Sequence, residues 1–442
     1  MSSINSQVIS EVRFLQRQVA SLLLYQSVLE TEMGIAFLNL LRAIEQSETN
    51  NFGCLQAYGC WFRLQAAHCQ SWQDYLITQI LRLVNPFTQQ AQQMAWADLP
   101  SSMVAAARSD LERLHSLYRC SPAQIGLWVK QVAPLTEPPV IWQSQPAQLG
   151  NIEHSPLRTQ LTTLDNWADA VEPLAAHYHQ YGVGIFTEAE AFRWQHQRLV
   201  IVSHPDPIHL NQLVGYESQR QTLLQNTEAL LAGYPAQNVL LYGSRGSGKS
   251  SLVKALLHQY CVGEAADFRH RGLRMIEVAK ADLQDLPEVM EQLRGVPQKF
   301  IIFVDDLSFE ESDETFKALK VVLEGNLTAR PPNVVVYATS NRRHLVREFF
   351  EDRPRPKDHD EVHVWDTVQE KLSFSDRFGL TLTFEPPDQN TYLNIIHHLA
   401  SQAEINLSPE ELDFQALQWA TRHHGRSGRT ARQFIDFLIA QR

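Results

Sequence analysis

At 442 residues the chain exceeds what one ordinary core holds, so it is expected to divide into two or three domains. A hydrophobic content of 44% with 20% charged residues excludes a disordered or fibrous chain. The net charge of −11 excludes a surface wholly committed to nucleic acid or anionic lipid, although a local basic groove remains compatible with it. No apolar run approaches the roughly 20 residues that span a bilayer. The opening MSSINSQVISEVRF also lacks the basic-then-apolar layout of a secretory signal. A cytoplasmic protein is therefore expected. The five cysteines fit reduced thiols better than a disulfide framework. Cys54, Cys60, His68 and Cys69 crowd together, yet no C-x-x-C pair occurs, so buried thiols are expected in preference to zinc.

Residues 1–132 read as helical throughout. Val8, Val12, Leu15, Val19, Leu22, Leu29, Met33, Ala36 and Leu40 follow alternating steps of four and three, with polar Gln26 in one slot. This is a heptad seam that predicts a long helix, packed within an intramolecular bundle in preference to an intermolecular coiled coil. Lys130 is the single lysine of the region, which argues against a phosphate-gripping surface there.

Residues 133–158 change character: APLTEPPVIWQSQPAQLGNIEHSP contains five prolines and few charges, marking a linker or surface strap. An α/β domain is expected over 159–386, with a parallel sheet flanked by helices. Its candidate strands are Val239–Tyr242, Arg274–Val278, Phe300–Val304, Val334–Ala338 and Leu380–Phe384, each short and apolar as doubly covered strands are. After Pro386 and Pro387 the pattern turns helical, and residues 387–442 are expected to form a helical lid. Ser408-Pro409-Glu410-Glu411 signals one helix start, and Gly425 a stop before a last helix, Arg429 to Ala440.

The strand NVLLY runs into GSRGSGKS, Gly243 to Ser250, and then into SLVKALLHQY. Strand, glycine-rich turn and helix in this order give the G-x-x-x-x-G-K-[ST] phosphate loop its meaning. Gly243, Ser244, Arg245, Gly246, Ser247, Gly248, Lys249, Ser250 and Ser251 are thus the expected phosphate site. Backbone N–H groups and the helix N-terminus would point at phosphate oxygens, Lys249 would reach the terminal phosphates, and the Ser250 hydroxyl would ligate Mg²⁺. The strand in FIIFVDDLSFEESD ends in Asp305 and Asp306. Asp305 is placed to hold the Mg²⁺ shell. Asp306 stands where such strands usually carry a glutamate that orients the attacking water, one methylene longer. Glu310 and Glu311 read as helix-start acids.

From about Trp167 onward the blocks HPDPIHLNQLVGYESQ, LLYGSRGSGKSSLVKALL, FVDDLSFEE, YATSNRRHL, LSFSDRFGLTLTF and GRSGRTARQF resemble the AAA+ ATPases. The chain is more closely similar to a bacterial family of predicted ATPases within that superfamily. The resemblance implies a fold: a P-loop AAA+ core and C-terminal helical lid, preceded here by an all-α N-terminal domain. It also implies ATP and Mg²⁺ as cofactors and roles for particular residues. Leu213, Val214 and Gly215 would line the adenine pocket. Asn341 would be the sensor of the γ-phosphate or lytic water. Arg377 would be an arginine finger reaching the neighbouring subunit's site, and Arg429 the second sensor arginine, with Arg426 and Arg432 as competitors for that place.

Bacterial replication initiators of the superfamily carry the same Asp-Asp pair, so the resemblance implies slow rather than absent hydrolysis, with Asp306 orienting water. The charged stretch Phe349–Asp366 reads equally as a partner-contacting loop or a solvated insertion, and Arg342 and Arg343 as trans-acting charges or surface pairs. The expected function is an oligomeric ATPase with shared sites that remodels or loads a macromolecule chosen by the N-terminal helices. An ATP-operated switch or scaffold is the alternative. Nucleic-acid loading has thinner support, resting on Arg422, Arg426, Arg429 and Arg432.

Overall fold

The computed structural model describes residues 2–46, 51–143, 156–262, 272–308, 319–320, 322–323, 330–341, 377–423 and 425–441. Glu310, Glu311, Arg342, Arg343 and the stretch Phe349–Asp366 lie outside them. Contacts divide the chain into two compact units, Met1–Glu188 and Ala189–Arg442.

The first unit is all helical: α1 (Ser2–Ala20), α2 (Glu32–Glu45), α3 (Asn51–Ala67), α4 (Trp72–Arg82), α5 (Pro86–Gln93), α6 (Ser101–Arg119), α7 (Pro122–Val132), α8 (Pro156–Thr163) and α9 (Val171–Tyr181). Most of the heptad seam is buried as its spacing requires, from Val8 and Val12 through Leu22 and Leu29 to Leu40. The seam is not one helix, however. The chain breaks between α1 and α2 because the Asp110 carboxylate on α6 accepts the backbone N–H groups of Leu23 (3.0 Å), Leu24 (2.7 Å) and Tyr25 (3.0 Å). These N–H groups therefore have a partner outside the helix ladder. Thr31 then caps α2, its hydroxyl accepting from Gly34 N–H.

The division between units also falls beyond the boundary that the proline-rich segment suggests. Leu157, Leu161, Trp167, Val171, Leu174 and Tyr178 belong to the core of the helical unit. Tyr178 Oη donates to the Ile80 carbonyl at 2.7 Å, and Tyr25 Oη lies 3.2 Å from it. Burial of these large aromatics assigns residues 156–188 to the N-terminal unit.

The second unit carries a seven-stranded sheet in the order β2-β1-β4-β5-β6-β3-β7. The strands are β1 (Ala191–Gln195), β2 (Arg198–Ile201), β3 (Val239–Gly243), β4 (Leu273–Glu277), β5 (Lys299–Val304), β6 (Val334–Ser340) and β7 (Leu380–Phe384). All pairs are parallel except the edge hairpin β1–β2. Every residue of β6 is buried, and all of β5 but its first, which is why both read as unbroken apolar runs. Helices α10 (Glu217–Leu231), α11 (Lys249–Leu257) and α12 (Leu286–Gln292) belong with the sheet. Leu223, Leu230, Val253 and Leu256 pack on the β3, β5 and β6 side chains.

After β7, helices α13 (Gln389–Gln402), α14 (Pro409–Arg422) and α15 (Gly428–Ala440) form a three-helix cluster. It has a core of its own around Tyr392, Ile396, Leu412, Ala416, Phe434 and Ile435. Ser408 caps α14 by accepting from Glu411 N–H, and Ser427 caps α15 by accepting from Thr430 N–H.

Candidate nucleotide site

Strand order places the site. The turn after β3 emerges at the carboxyl edge of the sheet between β6 and β7, beside the ends of β5 and β6. Gly243 has φ +143°, and a Cβ there would stand 1.9 Å from the Phe384 carbonyl oxygen, so glycine is required where the loop leaves β3 against β7. Ser244 N–H donates to that carbonyl at 3.0 Å. Gly248, in the left-handed conformation, leads into α11, whose N-terminus opens on the loop.

Lys249 is buried, with only 6% of its surface exposed. Its Nζ donates to the Gly243 carbonyl (3.0 Å), the Ser244 carbonyl (2.7 Å) and Asn341 Oδ1 (3.3 Å). Burial lowers its pKa, the Asp306 and Asp305 carboxylates oppose that shift, and the Arg429 charge adds to it. Ser250 Oγ donates to Asp305 Oδ1 at 2.5 Å, and Thr339 Oγ1 donates to the same oxygen at 2.5 Å. Asp306 sits at φ +49°, in the left-handed region that Asp tolerates better than most residues. Its N–H donates to Thr339 Oγ1 at 3.0 Å, and its Oδ1 accepts from Asn341 Nδ2 at 2.6 Å.

These groups line one open cleft of about 910 Å³. Arg245 through Leu252, Asp305, Asp306, Asn341 and Arg429 line it, as do Leu213 and Val214 at a more apolar end with Ile395 and Leu399. Gly243 and Ser244 stand behind, supplying carbonyls to Lys249. Gly215 lies beside the cleft, with φ +99° and its N–H donating to Glu217 Oε1 at 2.9 Å. Arg377 is not brought into this cleft: it precedes β7 at the edge of the sheet opposite the phosphate loop, since Leu380 pairs with Val239 and Phe384 with Gly243.

Sequence reasoning missed Thr339, the hydroxyl that joins Asp305 to the Asp306 backbone, and Arg220, Asp206 and Ile208, which also face the cleft. Thr339 is the penultimate residue of the buried β6 and carries no motif signal. Ile208 and Asp206 sit in a segment noticed only through its resemblance.

The donor set fits a hard divalent cation. Ser250 Oγ and Asp305 Oδ1 are adjacent oxygens, and Mg²⁺ needs only one or two protein oxygens beside phosphate and water. Among the described residues no group of three or more His, Cys, Asp and Glu converges as a metal cage. Cys54 is buried, Cys60 half-buried and Cys69 exposed. None of the described helices is long and apolar enough to cross a membrane.

The order β4-β5-β6-β3-β7, with a phosphate loop after β3, paired acids after β5 and an asparagine after β6, defines a P-loop protein of AAA+ type. Residues 187–442 match the family described as "Protein of unknown function (DUF815)", and the chain belongs to that family. No curated protein matches the chain. Similar solved structures include the Thermotoga maritima RuvB Holliday junction branch migration motor, at 14% identity and TM-score 0.32 over 52% of this chain and 72% of that one. A point variant of the same RuvB gives 15% identity and TM-score 0.33 over the same shares. The fold assignment rests on strand order and the loop instead.

Proposed function

We propose that the chain binds ATP with Mg²⁺ in this cleft and hydrolyses it slowly as one subunit of a homo-oligomer. The cycle would remodel or load a macromolecular partner selected by the helical N-terminal unit. The observation that carries the reading is Asn341. Its Oδ1 accepts from Lys249 Nζ while its Nδ2 donates to Asp306 Oδ1, so one amide touches the phosphate-binding ammonium and the acid that follows β5. A terminal phosphate drawing Lys249 toward itself would change the asparagine's contacts and with them the Asp306 carboxylate. Ser250 and Asp305 would hold Mg²⁺, which supplies positive charge against the phosphate oxygens.

Asp306 is the group we assign to orient water. Its short side chain, held by Asn341 from a left-handed backbone, supports slow turnover. The position of Arg377 at the opposite edge of the sheet supports a role in a neighbour's site, where an arginine adds several orders of magnitude in rate in related chemistry.

The test is steady-state ATP hydrolysis per subunit over a hundredfold range of protein concentration, with Arg377→Ala alongside. Specific activity that climbs with concentration, and collapses in the variant while ATP affinity persists, is the expected result. Activity independent of concentration and indifferent to Arg377 would overturn the shared-site reading. A second reading, an ATP-operated switch with little hydrolysis, is favoured by the Arg429 N–H bond to the Gly246 carbonyl (3.2 Å), which ties the phosphate loop to the three-helix cluster. Partner binding that follows ATP occupancy without turnover would select it.

A further inference from the structure

The cleft holds a cation that the second-sensor role does not use. Helix α15 starts hard against the phosphate loop. A Cβ on Gly428 would lie 3.1 Å from the Gly246 carbonyl oxygen, and one on Gly246 would lie 3.0 Å from Ser427 Oγ and 3.1 Å from Arg429 Cβ. With the bond from Arg429 N–H to the Gly246 carbonyl, this contact fixes where the helix begins. Its rotation is fixed by burial, because Thr430, Ala431, Phe434 and Ile435 are sunk in the cluster core. In the helix's first six residues those outside the core are Gly428, Arg429, Arg432 and Gln433, all of which line the cleft. Arg432 stands about one turn, roughly 5 Å, further from the loop than Arg429. Neither arginine is in an ion pair with a described carboxylate. Arg193, by contrast, has Glu277 and Arg158 has Asp74.

The helix therefore offers two guanidinium groups to the cleft at two depths. Arg429 begins at the loop, close enough to Lys249 for its charge to bear on that ammonium. Arg432 lies about one turn further along and lines the same cleft, as do the apolar Ile395 and Leu399. We propose that Arg432 is a second anion-binding residue of the nucleotide site, holding the phosphates that ADP and ATP share, while Arg429 answers to the terminal phosphate. The inference rests on the nucleotide-binding reading above and adds a cation that holds ATP and ADP alike. Guanidinium suits that place, since its planar fork pairs with two phosphate oxygens at once.

The test titrates fluorescent N-methylanthraniloyl-ATP and -ADP, with Mg²⁺, into full-length wild type, Arg432→Ala, Arg432→Lys and Arg429→Ala. Arg432→Ala should weaken both nucleotides by the same factor, about tenfold. Arg432→Lys should recover part of that loss, and Arg429→Ala should weaken ATP more than ADP. The proposal is overturned if Arg432→Ala leaves both affinities unchanged or lowers only that for ATP. Wild type that binds neither nucleotide would instead overturn the site reading itself, so the two failures are told apart in one experiment.

Discussion

Asp110 in the helical unit and Asp305 in the α/β unit use the same chemistry to different ends. Each carboxylate accepts from three donors. Those of Asp110 are successive backbone N–H groups of its own chain, at Leu23, Leu24 and Tyr25, and the residue is wholly buried. Those of Asp305 are two hydroxyls and one N–H, all converging on Oδ1, at the rim of an open cleft. The first acid ends a helix and closes a core. The second is held in place beside a space that a cation and phosphates fit. Polar groups below the surface thus divide by whether their neighbourhood is closed, and burial alone does not separate structural from chemical roles.

The sharpest way to break this comparison is to remove each carboxylate. Asp110→Ala removes the acceptor of one buried N–H group, at Tyr25, and of two part-buried ones, at Leu23 and Leu24, and the helical unit should lose about 3 kcal/mol, since an unsatisfied buried donor costs about 1–3 kcal/mol. Urea unfolding followed by tryptophan fluorescence would report it. Nucleotide affinity should persist under conditions where the unit stays folded. Asp305→Ala should show the reverse, with Mg²⁺-dependent nucleotide binding lost and the unfolding midpoint nearly unchanged. Equal stability losses in the two variants would erase the distinction.

A second contrast concerns buried bases. Burial lowers both His177 and Lys249, but two carboxylates, Asp306 and Asp305, oppose the shift at Lys249. At His177 burial is the cause, and its pKa falls to about 4, so the imidazole is neutral at pH 7. The unfolded chain, with a histidine pKa near 6.5, binds the proton more tightly than the folded one. Stability is therefore intact above about pH 6.5, declines as pH falls below it, and levels off below about 4, a loss of about 3 kcal/mol. Urea midpoints from pH 7 to pH 4 should show that slope in wild type and a shallower one in His177→Gln. Parallel slopes would mean that His177 is not the titrating group.

The residues that were legible in sequence and those that were not differ physically. The inner strands β5 and β6 were readable because burial on both faces demands unbroken apolar runs. The phosphate loop was readable because its backbone demands glycine at set places. The edge hairpin β1–β2 was not: AFRWQ and RLVI are short and partly exposed, and the turn between them puts His196 (φ 52°) and Gln197 (φ 57°) in left-handed conformations without the usual glycine or asparagine. The break after α1 was hidden because the apolar seam runs straight through it. What stops the helix is an aspartate far along the chain. The division between units falls beyond the proline-rich segment because Trp167 and Tyr178, which follow it, are buried in the helical core. Of the residues that line the cleft, those with motif spacing are named by the sequence, and Thr339 is not.

Thr339 gives the finest test of the comparison, because Thr31 does a similar job in the helical unit. Thr31 Oγ1 accepts from Gly34 N–H at 3.3 Å to cap α2, while Thr339 Oγ1 accepts from Asp306 N–H and donates to Asp305. Valine replaces either side chain with little change of shape but no hydroxyl. Thr31→Val should cost about 1 kcal/mol of stability, the usual value of a helix cap, and leave nucleotide affinity alone. Thr339→Val should loosen Asp305, the acid we propose holds Mg²⁺, and weaken Mg²⁺-nucleotide binding about fivefold, equivalent to about 1 kcal/mol, with a smaller effect on unfolding. If Thr339→Val shifted the urea midpoint as far as Thr31→Val while affinity held steady, the hydroxyl would be a strand-end brace. The network around Asp305 would then be as closed as the one around Asp110.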